Sequence, residues 1–342
     1  MKKFFIILLV FLLIDAGLLY FSRAYTPQIK DENGKTVSEN TAVLEKIKIG
    51  GIEQCILIRS RDISNPILLF LHGGPGMPMM YLAHKFQRQL EEQFTVVQWD
   101  QRGAGKSYNQ NIPIESINVE QFISDTHELV QHLRRRFNKD KIHLAGHSWG
   151  SYLGMLSVHR YPELFASYTG IGQIVHSEKA REIKNRFIRE QAEQTGNAEA
   201  IEELDTKGDI VLEKWLFRFG GELHEHTGIM PFIITGLLAS EYNLHDSIIK
   251  IKNGSSFSSE HMKYNAVAGE LIDEIYVLSV PVYFFTGRYD YVTPSELVEE
   301  YYQKIQAPDK KLVFFENSTH FPFFEEPEQF AAKMIDTILK KE

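Results

Sequence analysis

From residue 42 onward, the apolar positions of the chain change repeatedly between the period of a strand and that of a helix. Short β-prone runs predict strands at residues 43–49, 52–59, 66–71, 95–99, 141–145, 166–171, 280–285 and 311–315. Amphipathic stretches predict helices at residues 81–93 and 119–137, after residue 150, from Pro294 and from Pro327. This alternation indicates an α/β protein with a mainly parallel sheet that helices cover on both faces.

One long segment lacks this alternation. Between residues 173 and 273 the chain is rich in helix formers, has few strand-like runs and carries scattered aromatic residues such as Trp215 and Tyr242. An insertion of this size between two sheet strands is typical of a helical cap. The sequence therefore predicts a core made of residues 43–172 and 274–342, with a cap at residues 173–273.

The first residues differ from everything that follows. Two lysines precede an apolar run over residues 4–21, which only Asp15 interrupts, and a transmembrane helix needs about 20 such residues. The run predicts a membrane anchor at residues 1–23, with the remaining chain on the extracytoplasmic side. A cleaved signal peptide, which would leave the protein secreted, is the alternative, but the run ends without a clear small-x-small cleavage site. Polar residues 24–42 are expected to form a linker.

Composition removes several classes of function. The net charge of −8 argues against nucleic acid and against an anionic membrane surface as the main partner. Cys55 is the only cysteine, so that an intramolecular disulfide and a metal site built on clustered cysteines are both excluded. The remaining candidate chemistry belongs to hydroxyl, carboxyl and imidazole groups.

A candidate nucleophile lies between a predicted strand and a predicted helix. Residues 146–150 read Gly-His-Ser-Trp-Gly, which fits G-x-S-x-G, the spacing of a serine on a strained strand-to-helix turn. The glycines keep neighbouring side chains away from the hydroxyl, and the helix N-terminus favours negative charge beside it. The strand, turn and helix in the right order indicate that Ser148 is a nucleophile rather than an ordinary turn residue.

A serine nucleophile needs a base and a group that orients the base. On this kind of fold the three residues follow the chain order serine, acid, histidine. Asp290 directly follows the predicted strand at residues 280–285, and His320 follows the strand at residues 311–315 and is the only histidine after Asp290. The sequence therefore predicts the triad Ser148, Asp290 and His320.

The reaction also needs donors for the oxyanion. One is expected to be the N–H of Trp149, the residue after the nucleophile, and the other to come from the loop after the strand at residues 66–71. That loop reads His-Gly-Gly-Pro-Gly at residues 72–76, and its glycines let the backbone approach a substrate carbonyl closely. Gly74 is the predicted second donor, with Gly73 as the alternative and as a residue that contacts the substrate.

Four motifs together resemble the prolyl iminopeptidase family of α/β-hydrolase serine peptidases. They are the loop at residues 72–76, Asp-Gln-Arg-Gly-Ala-Gly-Lys-Ser at 100–107, the serine turn at 146–150, and Gly-Arg-Tyr-Asp at 287–290. The resemblance covers roughly residues 45–172 and 275–340. It implies an eight-stranded hydrolase core, a helical cap over the site, release of N-terminal residues from short peptides, and no metal or organic cofactor.

In that family, glutamates of the cap hold the free α-amine of the substrate, and a carboxylate suits this task because it pairs with an ammonium group. The resemblance assigns this position to Glu241, although a solvated helix glutamate is an equal interpretation. The second family glutamate follows a tryptophan-rich stretch that this chain does not match. Glu213 and Glu222 are the substitutes there. The resemblance therefore leaves proline specificity open.

The segment at residues 100–107 is expected to be architectural. Asp100 and Arg102 follow a predicted strand beside the site, and we expect the two side chains to pair and to shape the loop. A direct catalytic role is not predicted for either of them.

These patterns predict a serine hydrolase that acts through an acyl-enzyme on short peptides or other small molecules. Its most specific form is an aminopeptidase of the prolyl iminopeptidase type. A carboxylesterase or lactonase with the same core is the main alternative. A ligand-binding protein without activity is a further one, against which the complete triad and oxyanion loop argue.

Overall fold

The computed structural model describes residue 17 and residues 22–224, 229–262 and 271–339. Its centre is a sheet of eight strands in the order β1-β2-β4-β3-β5-β6-β7-β8. β2 lies antiparallel to both β1 and β4, and the remaining neighbours are parallel. The strands are β1 Thr41–Ile49, β2 Ile52–Ser60, β3 Ile67–Leu71, β4 Thr95–Asp100, β5 Ile142–His147, β6 Phe165–Ile171, β7 Val282–Gly287 and β8 Lys310–Phe315.

Twelve α-helices lie in the described ranges of the chain. They are α1 Ala83–Phe86, α2 Val119–Phe137, α3 Trp149–Arg160, α4 Ser177–Thr195, α5 Ala198–Lys207, α6 Leu212–Arg218, α7 Met230–Leu237, α8 Ile251–His261, α9 Leu271–Glu274, α10 Ser295–Lys304, α11 Pro322–Glu325 and α12 Pro327–Leu339. The predicted fold class, a mainly parallel sheet of eight strands with helices on both faces, is confirmed.

Alternate side chains of the central strands enter two different apolar clusters. In β3, Leu69 and Leu71 belong to the cluster that contains α2 and α3, whereas Leu68 and Phe70 belong to the one that contains α12. All five residues of β3 are buried, as expected for a strand that is covered on both faces. The continuous apolar run of β3 therefore lies in the middle of the core.

Between β6 and β7, the described part of the chain forms helices α4 to α9 and no strand of the sheet. This helical insertion has an apolar cluster of its own, in which α4, α5 and α6 pack together. Its buried members are Ile188, Ala192, Ala200, Leu204, Val211, Leu212, Trp215 and Leu216. The scattered aromatic and aliphatic residues of this segment therefore stabilise the insertion itself.

The prediction of one continuous helix at residues 81–93 is wrong. The segment forms only the short helix α1, with a 3-10 turn on each side of it. Gln87 is buried, where its side chain contacts Gln98 and Glu91, and Glu91 pairs with Arg59 of β2 at 2.8 Å. These tertiary contacts outweigh the local helix propensity of the segment.

The predicted membrane localisation is also contradicted. Over residues 17, 22–224, 229–262 and 271–339, no helix is long and apolar enough to cross a membrane. Residues 1–16 and 18–21, on which the predicted anchor falls, lie outside the described residues.

Asp100 and Arg102 do not pair with each other as expected. Arg102 instead donates to both carboxylate oxygens of Asp125 in α2, at 2.9 and 3.0 Å, and to the carbonyl oxygen of Gly50 at 2.8 Å. Asp100 accepts hydrogen bonds from the Tyr242 hydroxyl and from the backbone N–H of Lys106. The loop after β4 is therefore tied to α2 by one side chain and to the helical insertion by the other.

Replacing Arg102 with methionine is expected to lower the free energy of unfolding by about 3–5 kcal/mol, because Asp125 would remain as a buried charge without its partner. The side chains of Arg102 and Asp125 are 1% and 0% exposed. Arg288→Met is the control, since Arg288 and Glu316 are 39% and 62% exposed and such a pair contributes about 0–1 kcal/mol. Urea unfolding of both variants checks this, and equal losses would contradict it.

Candidate active site

Ser148 occupies a strained turn between β5 and α3. Its φ of 52° and ψ of −118° are unusual for a residue with a side chain, and its N–H donates to the carbonyl oxygen of Ile171 at 3.0 Å. Backbone strain at one residue in a well-packed turn points to function. The serine therefore stands at the carboxyl end of β5, where open α/β sheets place their ligand sites.

The two glycines of the turn are required by close backbone packing. A Cβ on Gly146 would lie 2.1 Å from the carbonyl oxygen of Gly150, and a Cβ on Gly150 would lie 2.1 Å from that of Leu71. Both distances are far below a van der Waals contact. The spacing of the motif therefore reflects how tightly α3 packs on β5 and β3.

Asp290 and His320 lie together in the structure. Asp290 follows β7, His320 follows β8, and His320 Nδ1 is 2.9 Å from Asp290 Oδ2. Because a carboxylate can only accept, Nδ1 carries the hydrogen, which leaves the lone pair of Nε2 available as a base. Burial lowers the pKa of His320, but the charge and hydrogen bond of Asp290 outweigh burial, and the net pKa is raised.

The carboxylate of Asp290 is itself fixed. Its Oδ1 accepts the backbone N–H groups of Val292 and Thr293, each at 2.9 Å, and its Oδ2 accepts the Thr293 hydroxyl at 2.8 Å. Oδ2 thus faces His320 while Oδ1 is held by the backbone. The loop after β7 determines which oxygen of the carboxylate meets the imidazole.

The glycine loop after β3 lies against the serine. A Cβ on Gly73 would be 3.2 Å from Ser148 Cβ, so that the backbone passes directly beside the nucleophile. Gly74 has a φ of +113°, and a Cβ there would lie 2.7 Å from the backbone nitrogens of Gly76 and Met77. The structure therefore places Gly73 against Ser148, and Gly73 and Gly74 line the same cavity as the serine.

A buried network links this loop to the first residue of α3. The backbone N–H of Gln101 donates to His72 Nε2, and its side-chain amide donates to the His72 carbonyl oxygen, both at 3.0 Å. The indole N–H of Trp149 donates to Gln101 Oε1 at 3.0 Å. Burial lowers the pKa of His72 to about 4, so that it is neutral at physiological pH. One glutamine thus couples the positions of the two predicted donor segments.

Ser148 and His320 open onto a cavity of about 1010 Å³ between the carboxyl ends of the strands and the helical insertion. Much of its wall is apolar and aromatic, and it includes Tyr81, Phe217, Phe232, Phe321 and Phe323. Its charged lining includes Lys184, Glu213 and Glu222. A cavity of this size and lining suits a small organic molecule or a short peptide.

Glu222 lines this cavity, and its charge is among those that raise the pKa of His320. Its carbonyl oxygen accepts the N–H of His320 at 3.3 Å and the hydroxyl of Thr319 at 2.6 Å. Burial, together with the charge of Glu213, raises the pKa of Glu222 to about 7. Lys184 donates to Glu213 at 2.8 Å, where Glu213 is 65% exposed. Glu222 is therefore a desolvated carboxyl group that an ammonium group of a bound ligand could pair with.

The structure does not bring Glu241 to this cavity. Glu241 is buried beside the loop after α7, where it accepts a hydrogen bond from the Ser240 hydroxyl at 3.2 Å. Burial lowers the pKa of His84, and the charge of Glu241 offsets only part of this lowering. It is absent from the described residues that line the cavity. Of the three glutamates considered from the sequence, Glu213 and Glu222 are the ones that line it.

Three contributors to the site had no signal in the sequence analysis. Gln101 and His147 lie within sequence motifs that do not single them out, and Thr293 lies in none of the predicted motifs. Each acts through contacts that sequence spacing does not specify. Within the described ranges, no group of three or more His, Cys, Asp or Glu side chains is placed to hold a metal ion.

The sheet, the serine turn and the paired aspartate and histidine define an α/β hydrolase. The sequence pattern of the α/β hydrolase fold family matches residues 66–327, and the chain belongs to this family. It is 36% identical over 309 residues to the probable aminopeptidase YbaC of Bacillus subtilis, covering 86% of this chain and 95% of the relative. The predicted family and the predicted hydrolase class are both confirmed.

Two further comparisons agree with this assignment. The proline iminopeptidase of Heyndrickxia coagulans is 25% identical over 279 residues, which cover 79% of this chain and 89% of the relative. The crystal structure of a proline iminopeptidase of Mycobacterium smegmatis superposes with a TM-score of 0.64 over 86% of this chain and 97% of that one. Its 18% sequence identity makes this a similarity of fold alone.

Proposed function

We propose that the protein is a serine hydrolase that works through an acyl-enzyme. Ser148 Oγ attacks the substrate carbonyl carbon while its proton passes to His320 Nε2, which Asp290 holds in the required tautomer. The resulting oxyanion accepts hydrogen bonds from the N–H groups of Trp149 and Gly74. His320 then gives its proton to the leaving group, and a water molecule repeats the attack to release the acid and restore Ser148.

We further propose that the substrate is the N-terminal residue of a short peptide, with residues 173–273 acting as a cap over the site. The observation that carries this proposal is Glu222, a desolvated carboxyl group of the cavity wall beside the histidine loop. Such a carboxylate selects a free α-ammonium group, because a neutral group at that position would leave a half-buried carboxylate without a partner. The names of the relatives, probable aminopeptidase and proline iminopeptidase, support the same activity.

The apolar wall of the cavity favours a second candidate, a carboxylesterase that acts on apolar acyl esters. Phe232 and Phe321 form an edge-to-face pair with centroids 4.9 Å apart, and such a wall binds an acyl chain as well as it binds a side chain. This candidate needs the triad but makes no use of Glu222. The peptidase therefore requires a free α-amine on its substrate, and the esterase does not.

Matched substrates separate these functions. Prolyl, alanyl and leucyl arylamides are to be assayed with a free α-amine and with the same amine acetylated, beside short acyl esters of the same leaving group. The peptidase proposal expects turnover of the free-amine arylamides and a large loss on acetylation. Turnover of esters without turnover of any arylamide would contradict the peptidase proposal and favour the esterase.

Glu222→Gln is expected to lower kcat/KM for free-amine arylamides by about 10- to 100-fold at pH 7.5, which corresponds to one charge-assisted hydrogen bond. Hydrolysis of simple acyl esters should change little, because those substrates have no ammonium group. Glu213→Gln is the matched control, since Glu213 lies on the same cavity but is 65% exposed and paired with Lys184. An equal loss on esters and on arylamides would contradict the assignment of Glu222.

The pH dependence has a direction that follows from the raised pKa values. Glu222, with its pKa raised to about 7, must be ionised, and His320, whose pKa is also raised, must be neutral. Activity on free-amine substrates therefore falls as the pH drops through this range. It falls again on the alkaline side as the substrate amine loses its proton, near pH 8. Ester substrates should retain the acid limb and lose the alkaline one.

A further inference from the structure

His147 is the last residue of β5 and directly precedes Ser148. Its side chain is buried, and its Nε2 lies 2.9 Å from the carbonyl oxygen of His320, a residue 173 positions away along the chain. A carbonyl oxygen only accepts hydrogen bonds, so that Nε2 of His147 carries the hydrogen. This bond joins the strand that carries the nucleophile to the main chain of the histidine in the triad.

The two imidazole rings are also in contact. Their centroids are 4.6 Å apart at an interplanar angle of 46°. Burial, followed by the charge that His320 can carry, holds the pKa of His147 well below its ordinary value. His147 is therefore neutral. A charged His147 at this distance would oppose the protonation of His320, and a neutral one does not.

The surroundings fix the orientation of the His147 ring. Phe321 and Phe323 pack against it with centroid distances of 5.1 and 5.0 Å. On the side of the oxyanion loop, a Cβ on Gly73 would be 3.1 Å from His147 Nδ1, so that the glycine lets the loop lie close to the ring. The ring is thus confined between the glycine loop and the aromatic residues that follow β8.

The main chain of His320 is held at both of its polar groups. Its N–H donates to the carbonyl oxygen of Glu222 at 3.3 Å, and its carbonyl oxygen accepts from His147. Its imidazole lies against Gly172, where a Cβ would be 2.9 Å from His320 Nδ1. Among these contacts, the hydrogen bond from His147 comes from the residue next to the nucleophile. This bond therefore fixes the distance between the main chain of His320 and Ser148.

We propose that His147 is a positioning residue, which fixes His320 relative to Ser148 by donating from Nε2 to the His320 carbonyl oxygen and by ring contact. The inference rests on the proposed function, in which His320 is the general base. It assigns His147 no contact with the reacting atoms. A histidine is suited to this position because it combines a long-reach donor with a flat ring that packs between Gly73 and the aromatic side chains.

Two amide substitutions separate the hydrogen bond from the volume of the side chain. Glutamine places its amide nitrogen near the position of Nε2 and can still donate to His320, whereas asparagine reaches only as far as Nδ1. His147→Asn is expected to lower kcat by about 10- to 100-fold with little change in KM, because a misplaced general base slows the chemical step. His147→Gln should restore most of this loss.

The pH profile provides a readout that loss of stability would not move. A loosened His320 makes a poorer bond to Asp290, so that the acid limb of kcat/KM for an ester should shift to lower pH in His147→Asn and not in His147→Gln. Full activity of His147→Asn, or equal impairment of both variants, would overturn the proposal. Ser148→Ala is assayed in parallel. If it keeps activity, the proposed function itself fails, whereas failure of the His147 pattern alone leaves that function standing.

A measurement on the unmodified protein covers the case in which His147→Asn does not fold. Nitrogen-15 NMR of the histidine rings should show His147 as the neutral Nε2–H tautomer throughout the pH range in which His320 titrates. The Nδ1–H tautomer would overturn the proposal, since it leaves no hydrogen on Nε2 to donate to the His320 carbonyl.

Discussion

Replacing Ser148 with alanine is expected to lower kcat by on the order of 10⁶, the loss that accompanies removal of a serine nucleophile that acts as a unit with its base. The remaining activity would come from substrate binding and the oxyanion donors alone. The reason lies in the position of the hydroxyl, which stands on the strained turn at φ 52° beside Gly73 and opens onto the cavity shared with His320. Alanine at this position has no oxygen with which to form the ester bond of an acyl-enzyme.

A fluorophosphonate probe measures the nucleophile directly, because it forms a covalent bond with an activated serine and needs no knowledge of the substrate. Ser255→Ala is the matched control, since Ser255 lines the same cavity but its hydroxyl donates to Met77 Sδ at 3.1 Å. We expect labelling of the Ser255→Ala variant and none of the Ser148→Ala variant at equal thermal stability. Labelling that persists without Ser148 would contradict its role as nucleophile.

The main features of the fold could be predicted from local patterns, because they depend on the alternation of apolar residues. The hairpin of β1 and β2 turns at Gly50 and Gly51, which adopt φ values of +54° and +83°, and the apolar run of β3 is buried on both faces. The segment at residues 81–93 could not be predicted. Its helical pattern is local, but the contacts that break it come from β2 and β4.

The same distinction applies to the candidate site. The chain order serine, acid, histidine led to Asp290 and His320, which the structure places 2.9 Å apart. By contrast, Arg102 pairs with Asp125, a residue of α2 that lies 23 positions further along the chain. Local sequence patterns do not show which carboxylate an arginine meets at such a separation. Glu222 lines the cavity and Glu241 does not. This difference follows from the path of the helical insertion, which local sequence patterns do not specify.

Replacing Asp290 with asparagine is expected to lower kcat by about 10⁴-fold, although the two side chains have nearly the same shape. The backbone N–H groups of Val292 and Thr293 both donate to Oδ1 of Asp290. In the variant, the amide oxygen must therefore occupy this position, and the amide nitrogen is forced to the position of Oδ2. That nitrogen would donate to His320 Nδ1, which moves the hydrogen of the ring to Nε2.

An Nε2–H tautomer cannot accept the proton of Ser148, so that binding should persist while the chemical step fails. The loss of the carboxylate charge also removes what raises the pKa of His320, and the acid limb of kcat/KM should move to lower pH. Thr293→Val is the control, because it removes only one of the hydrogen bonds to Oδ2 and leaves the charge and the tautomer unchanged. An Asp290→Asn variant with near-normal kcat, or with an unmoved acid limb, would show that Asp290 does not set the proton on His320.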